Sequence, residues 1–348
     1  MKKHFLFLLS LVFALSISAQ KPKNVILLIG DGMGTTQFFT MIAMNENNAI
    51  EQFPHVSFQK TAAADNFVTE SGAAATALAT GRKTNNRYIS VDPVTKQPLK
   101  TLVQLSNAKG LSTGVVVTCD ITHATPAAFL AHNIDRRNYE AIAESVLNTN
   151  PTLFIGGGRR QFERRTDHRN LSDSLRKQGF QLLYTLDDFM RARNPKIAGL
   201  LWDRHPENMV NGRGDFLKPA SQKAIELLNQ NSKGFFLMIE SSQVDWICHD
   251  NNFDELLEEL KDFDETIHAV MDFARKDGNT LVIVTGDHET GGLAVLKREG
   301  NVLFPRWTTF DHSPVMVPVF AFGPGAEKFS GVYENTEIQK KIVELLGL

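Results

Sequence analysis

The sequence predicts an α/β fold, a three-layer sandwich in which a mostly parallel central sheet is flanked by helices. Six short apolar runs recur along the chain between longer helical patterns. Each run is almost continuously apolar, which is typical of strands covered on both faces. Strands that alternate with helices favour parallel pairing through right-handed crossovers. The predicted strands are NVILLIG (24–30), GVVVT (114–118), TLFIGG (152–157), FFLMIE (235–240), LVIVTG (281–286) and PVFAFG (318–323).

The helical pattern is clearest over residues 253–276, where apolar residues recur at helical spacing and Gly278 follows as a stop. Two polar, turn-rich stretches, 83–100 and 194–216, are predicted as loops that leave a single domain. There is no internal repeat and no low-complexity linker. We therefore expect one domain over residues 20–348.

The first 19 residues have the pattern of a secretory signal peptide. Lys2 and Lys3 precede an apolar run (5–15) and a small-residue region (16–19). A membrane anchor or a buried helix is the alternative, but the run is shorter than the roughly 20 residues that span a bilayer. No later stretch is long enough to do so. The sequence thus predicts export to the periplasm or the medium.

Charge and cysteine content limit the possible partners. The net charge is −2 and no basic stripe exists, which argues against nucleic-acid binding. Four arginines cluster among acids and polar residues and are predicted to lie in a solvated loop: Arg159, Arg160, Arg164 and Arg165. Export would permit a disulfide between Cys119 and Cys248, although two free, buried thiols are favoured. Neither cysteine has a second cysteine at metal-ligand spacing.

Acidic residues end three of the predicted strands. Asp31 follows the first strand, Glu240 ends the fourth, and Asp287 follows the fifth. Ligands of open α/β sheets bind beyond the carboxyl ends of the strands, so these three carboxylates should converge. Crowded carboxylates repel one another, and a cation would resolve that conflict. Each acid taken singly could instead cap a following helix.

Histidines accompany these acids. Asp245 and His249 are four residues apart, so a helix would place both on one face, and this pair suits zinc. A surface ion pair is the alternative. Asp287 and His288 are adjacent, so they can share a metal only in a turn beyond the strand. His312, just before the last strand, could be structural or could complete the Asp245–His249 pair.

A serine begins an alanine-rich, helix-forming run. Ser71 lies in FVTESGAAATALATG, near the start of the predicted helix. The N–H groups and the dipole at a helix N-terminus favour phosphate, which makes Ser71 a candidate nucleophile. The alternative is that Ser71 only caps the helix.

Together these segments resemble the alkaline phosphatases. The shared motifs occur in the family's order and cover nearly the whole chain after the signal peptide, and the fit is closest to small bacterial members. They are GDGMG, TESGAAATALATG, HATPAAFLAH, IESSQVDWICH, TGDHETGG and the late His312. The resemblance implies hydrolysis of phosphate monoesters with two zinc ions and one magnesium ion, and it suggests a homodimer.

The resemblance also implies roles for individual residues. Ser71 corresponds to the phosphorylated nucleophile, and Arg136 to the arginine that clamps phosphate. The implied ligands of the first zinc are Asp245, His249 and His312. The implied ligands of the second zinc are Asp31, Asp287 and His288, joined by the Ser71 oxygen. The implied ligands of the magnesium are Asp31, Thr125 and Glu240.

Three positions depart from some members of the family. His123 and Trp246 stand near the implied magnesium, where a carboxylate and a lysine occur elsewhere. Trp246 cannot donate a charge, whereas His123 could bind a metal directly, so the third site is expected to accept zinc or cobalt as well as magnesium. Glu70 replaces an aspartate before the nucleophile, and we expect this change to matter little.

Two other functions remain open at this stage. A phosphodiesterase of the same superfamily would usually have a threonine nucleophile and would lack Thr125 and Glu240. A non-catalytic protein that binds metal or phosphate would lose the nucleophile, which argues against it because Ser71 and Arg136 are both present.

Overall fold

The central sheet has ten strands, and the computed structural model describes it within residues 21–348. The predicted signal peptide, 1–19, lies outside the described residues. Four further strands form two separate two-stranded sheets. All strands in chain order are β1 (Asn24–Gly30), β2 (His55–Lys60), β3 (Ser112–Asp120), β4 (Leu153–Gly157), β5 (Gln181–Leu183), β6 (Ile197–Leu200), β7 (Phe235–Ser241), β8 (Thr280–Gly286), β9 (Glu289–Thr290), β10 (Ala294–Glu299), β11 (Val302–Arg306), β12 (His312–Ser313), β13 (Val317–Phe322) and β14 (Gly331–Glu334). The two small sheets pair β10 with β11 and β9 with β12.

Helices follow most of these strands and cover both faces of the sheet. They are α1 (Thr35–Met44), α2 (Ser71–Thr80), α3 (Leu102–Lys109), α4 (Ala124–Leu130), α5 (Tyr139–Thr149), α6 (Arg159–Glu163), α7 (Leu171–Lys177), α8 (Leu186–Arg191), α9 (Leu217–Leu228), α10 (Gln243–His249), α11 (Phe253–Asp277) and α12 (Thr336–Leu346).

The strand order is β14-β2-β13-β8-β1-β7-β3-β4-β6-β5. Strand β13 is antiparallel to both β8 and β2, and every other pairing in the sheet is parallel. The prediction of a mostly parallel sheet is therefore confirmed. All six predicted strands are present, and the last of them is the antiparallel one.

The sequence patterns missed several outer strands. Residues 194–216 were predicted as a loop, but they include β6, which pairs with β4 and β5. Its four residues are buried and apolar, yet they are too few to stand out among polar neighbours. Strand β2 alternates in burial because it lies near the sheet edge, next to β14. A search for continuous apolar runs does not detect a strand of that kind.

The core has two parts, one on each face of the sheet. Val25, Leu27 and Ile29 pack on one face with α2, α4 and α12, whereas Ile26 and Leu28 pack on the other with α9 and α11. Both sets are fully buried. This arrangement explains why residues 25–29 of β1 are all apolar, since each of these side chains meets a helical layer.

Helix α11 is the longest helix in residues 21–348. It covers the predicted range 253–276 and ends at Gly278, whose φ of 69° is readily adopted by glycine. Its buried residues include the acids Glu259, Asp262 and Asp264, and the first two face Arg213. Arg213 donates to both, with N–O distances of 2.7–2.9 Å, and this ion cluster is inaccessible to solvent.

The structure corrects the prediction for the arginine cluster and confirms the prediction for the two cysteines. The arginine cluster is not a solvated loop, because Arg159–Glu163 forms α6 and Arg165 is buried. Arg165 donates to Asp167 and to the Glu140 carbonyl. Cys119 and Cys248 are both free and buried, as the sequence predicts.

No helix within residues 21–348 is long and apolar enough to cross a membrane.

The Arg213 cluster generates a stability prediction. Arg213→Ala leaves two carboxylates buried without their counterion, so we expect it to lower the free energy of unfolding by about 3–5 kcal/mol. The control is Arg191→Ala, which removes an exposed ion pair with Asp188 and should change stability by less than about 1 kcal/mol. Urea unfolding of the metal-loaded variants measures both. Equal midpoints for the two variants would contradict the prediction.

Candidate active site

Three neighbouring strands bring the predicted acids together. Strands β8, β1 and β7 are adjacent and parallel, so their carboxyl ends meet at one edge. Asp31 follows β1, Asp287 follows β8, and Glu240 lies near the end of β7. All three carboxylates are fully buried. The convergence that the strand ends predicted is therefore present in the fold.

The first ligand cluster consists of Asp245, His249 and His312. Helix α10 places Asp245 and His249 on one face, with 3.5 Å between Oδ1 and Nε2. His312 Nε2 lies 3.4 Å from the same oxygen and 3.1 Å from His249 Nε2. The three atoms therefore surround a common point.

Backbone carbonyls orient both imidazoles of this cluster. His249 Nδ1 lies 2.5 Å from the Phe310 carbonyl, and His312 Nδ1 lies 2.8 Å from the Thr69 carbonyl. A carbonyl can only accept, so each Nδ1 carries the proton and each Nε2 keeps its lone pair. Metal-binding histidines are commonly held in this way.

The second ligand cluster consists of Asp31, Asp287 and His288, and Ser71 adjoins it. His288 Nε2 lies 3.4 Å from Asp31 Oδ1 and 3.4 Å from Asp287 Oδ2. Ser71 Oγ lies 3.3 Å from His288 Nε2 and 3.5 Å from Asp31 Oδ1. As expected, Asp287 and His288 occupy a bend just beyond β8.

A glycine permits this bend. A Cβ atom at Gly286 would lie 2.1 Å from the Met33 carbonyl oxygen. Any larger residue would therefore separate the end of β8 from the loop after β1. That close approach keeps the two strand ends, with their acids, beside each other.

The third ligand cluster consists of Asp31, Thr125 and Glu240. Thr125 Oγ1 lies 3.5 Å from Asp31 Oδ2, so Asp31 contributes one oxygen to this cluster and the other to the second. Glu240 Oε1 is buried and has no hydrogen-bond partner among the described residues. Oxygen donors of this type suit magnesium.

Burial and neighbouring charges shift the pKa values of these acids. Burial, together with the charges of Asp287, Asp245 and Glu240, raises the pKa of Asp31 well above its usual range. Burial raises the pKa of Asp287 to about 7 and that of Glu240 to about 8. For Asp245, burial also acts to raise the pKa, but His312 and the other imidazoles outweigh it and lower the pKa.

These features match a set of cation ligands. The buried oxygens Asp287 Oδ2 and Glu240 Oε1 have no hydrogen-bond partner within residues 21–348, and a cation would supply a ligand contact. The first two clusters combine imidazole nitrogens with carboxylates, which suits zinc. Both the types of ligand atom and the negative charge of these residues therefore suit bound metal ions.

Glu70 caps the helix that carries Ser71. The Glu70 carboxylate accepts from the backbone N–H groups of Gly72 and Ala73 and also pairs with Arg136. Ser71 is the first residue of α2, so it is not the residue that caps this helix. Glu70 therefore contacts both the start of the helix and Arg136, the predicted phosphate clamp.

His123 lies between Arg136 and an aromatic group. Arg136 Nη2 is 3.2 Å from His123 Nε2, which must accept because a guanidinium only donates. The rings of Trp246 and His205 meet His123 edge to face, with centroids 5.3 and 5.6 Å away. His123 and Trp246 are therefore beside the site, as the sequence predicted.

Two contributors were missed by sequence reasoning. His205 lies in the stretch predicted as a loop, and no pattern there connects it with His123. Thr290 Oγ1 donates to Asp245 Oδ1 at 2.5 Å and also lies 3.3 Å from His288 Nδ1. The only sequence feature that could have identified Thr290 as a site residue is its position two residues after His288.

The fold and the site together define a metal-dependent hydrolase with a serine hydroxyl at its candidate cation ligands. Residues 22–305 match the family model described as alkaline phosphatase. The chain is 32% identical over 411 residues to alkaline phosphatase 4 of Bacillus subtilis (strain 168), covering 93% of this chain and 88% of that protein. The chain belongs to the alkaline phosphatase family and is a metal-dependent phosphomonoesterase.

Solved structures agree with this assignment. The alkaline phosphatase from the Antarctic bacterium TAB5 superposes with a TM-score of 0.90 at 40% identity, covering 94% of this chain and 99% of that chain. A histidine-to-aspartate variant of the TAB5 enzyme, with Mg bound in its M3 site, superposes with a TM-score of 0.89 at 38% identity over the same shares of the two chains.

The raised carboxylate pKa values generate a prediction for the metal-free protein. An acid whose pKa is higher in the folded than in the unfolded state makes the folded protein bind more protons between those two pKa values, so stability falls as the pH rises from the lower to the higher value. We therefore expect chelated protein to lose stability as the pH rises from about 4, where the unfolded carboxyls ionise, to about 7–8, where Asp287 and Glu240 ionise in the fold. One pKa unit corresponds to about 1.4 kcal/mol, so the loss should reach a few kcal/mol.

Thermal unfolding at several pH values, with and without chelator, measures this effect. Metal-loaded protein is the control, because its ligands are already ionised and paired. A chelated protein that becomes more stable from pH 6.5 to 8 would contradict the prediction.

Proposed function

We propose that this enzyme is exported and hydrolyses phosphate monoesters through a phosphoserine formed on Ser71, with two zinc ions and one magnesium ion. One observation supports the covalent route: Ser71 Oγ lies 3.3 Å from His288 Nε2 and 3.5 Å from Asp31 Oδ1. A hydroxyl that adjoins two candidate cation ligands is well placed to act as a nucleophile.

The proposed ion positions follow the three ligand clusters. Asp245, His249 and His312 would hold the first zinc, and Asp31, Asp287 and His288 the second. Asp31, Thr125 and Glu240 would hold the magnesium. When bound, these ions supply Lewis acidity and neutralise the charge that develops on the attacking and leaving oxygens.

The chain's own residues then carry out two displacements. The Ser71 oxygen attacks phosphorus, and the bond from phosphorus to the ester oxygen breaks as the alcohol leaves. Water next attacks the phosphoserine, which releases inorganic phosphate and restores the hydroxyl. Each step inverts phosphorus, so the two together retain its configuration.

Arg136 is the proposed phosphate clamp. Its guanidinium pairs with Glu70 and donates to His123, so these contacts hold it beside the start of α2. Its remaining N–H groups can bind phosphoryl oxygens, for which a guanidinium fork is well suited. The N–H groups at the start of α2 add to the attraction for phosphate.

Assays against monoester and diester substrates, at several pH values with defined zinc and magnesium, test this function. We expect fast, chelator-sensitive release of phosphate from monoesters. Preferential cleavage of diesters would favour a phosphodiesterase, and metal or phosphate binding without turnover would favour a non-catalytic protein. Size-exclusion chromatography tests the proposed homodimer separately.

Replacement of the proposed nucleophile generates the next prediction. We expect Ser71→Ala to lose activity by about a thousandfold or more, because the covalent route is closed. Metal content should stay normal, since the ligand side chains remain. The control is Ser330→Ala, which alters an exposed serine and should keep full activity. Near-normal turnover in Ser71→Ala, without burst phosphorylation, would overturn the covalent route.

The identity of the third ion generates a further prediction. We expect His123→Asp to strengthen magnesium binding and weaken zinc and cobalt binding, because a carboxylate is a harder ligand than imidazole. Metal analysis after dialysis against each ion, alongside activity, measures the change. His168→Asp is the control, at an exposed histidine on a loop. Magnesium activation unchanged in His123→Asp would count against a role for His123.

A further inference from the structure

A buried thiol lies beside the third ligand cluster, and the family resemblance assigns it no role. Cys119 Sγ lies 3.6 Å from Glu240 Oε2 and is fully buried. One potential ligand atom from each of Cys119, His123 and Glu240 falls within 4.8 Å of the others. These three side chains therefore form a compact donor set that overlaps the third ligand cluster at Glu240.

Two unpartnered polar atoms support this donor set independently of the thiol. His123 Nδ1 and Glu240 Oε1 are both buried, and neither has a hydrogen-bond partner among the described residues. His123 is only 6% exposed and Glu240 is inaccessible. Buried polar groups are rarely left unsatisfied, so this shared lack of partners points to a ligand.

The donor types indicate which cation would bind. Thiolate and imidazole are ligands of zinc and related transition ions, whereas magnesium prefers oxygen. We propose that Cys119, His123 and Glu240 form a thiolate-containing zinc site that competes with magnesium bound by Asp31, Thr125 and Glu240. This inference extends the proposed third ion site. Binding there releases the thiol proton to solvent and forms a sulfur–metal bond.

Competition follows because both sites use Glu240. A second consequence concerns Arg136, which now donates to His123 Nε2. If the ion binds Nε2, that lone pair is no longer available to Arg136. If the ion binds Nδ1, the proton moves to Nε2, which then cannot accept. In either case zinc in this site breaks the Arg136–His123 hydrogen bond, so excess zinc should inhibit the enzyme.

Cobalt provides a direct test, because a cobalt–thiolate bond gives a charge-transfer absorption in the near ultraviolet and nitrogen or oxygen ligands do not. Enzyme that holds only two zinc ions per chain is titrated with cobalt in the absence of magnesium. We expect the band in the wild type, its loss in Cys119→Ser, and its retention in Cys248→Ser. Cys248 is a matched control, because it is also a buried free thiol and its Sγ accepts a hydrogen bond from the Gln37 amide at 3.9 Å.

Magnesium competition gives a second measurement, and its first part uses the wild type alone. Added magnesium should suppress the band in the wild type, because two cations bound to the same Glu240 carboxylate would repel each other. In Cys119→Ser, the zinc concentration that displaces half of the magnesium should rise by roughly tenfold or more.

Several results would overturn the inference. They are absence of the band in the wild type, a band that persists in Cys119→Ser, or a band that is insensitive to magnesium. Phosphatase activity with zinc and magnesium is measured separately on the same preparation. An active enzyme without the band would leave the proposed function intact and reject only the thiolate site.

Discussion

The site depends on the repulsion among buried carboxylates at the ends of three adjacent strands. The parallel sheet places Asp31, Glu240 and Asp287 at one edge, where no water surrounds them. Repulsion and burial raise their pKa values, so the protein alone holds these groups in an unfavourable state at neutral pH. Bound cations would remove this penalty, so metal binding and stability would depend on the same residues.

Neighbouring groups orient the side chains of the candidate metal ligands. The carbonyls of Phe310 and Thr69 select the tautomers of His249 and His312. Thr290 donates a hydrogen bond to Asp245 Oδ1. Such supporting contacts reduce the reorganisation that binding would otherwise require, and they come from different segments of the chain.

Much of the fold could be predicted because β1, β3, β7 and β8 are buried on both faces and each therefore contains a continuous apolar run. Strand β2 escaped because one of its faces is partly open, and β6 because its apolar segment is only four residues long. The direction of β13 was not predictable, since an apolar run looks the same in either direction. The acids at the strand ends were recognisable because parallel strands end at a common edge.

The sequence by itself determined the types of ligand and their order along the chain, because strand ends and helical spacing confine them to a few positions. Tertiary structure decided which of them meet. Glu70 pairs with Arg136, His205 packs on His123, and Cys119 lies beside Glu240 through contacts between distant segments. Local patterns carry no record of such contacts, since each depends on how whole strands and helices pack.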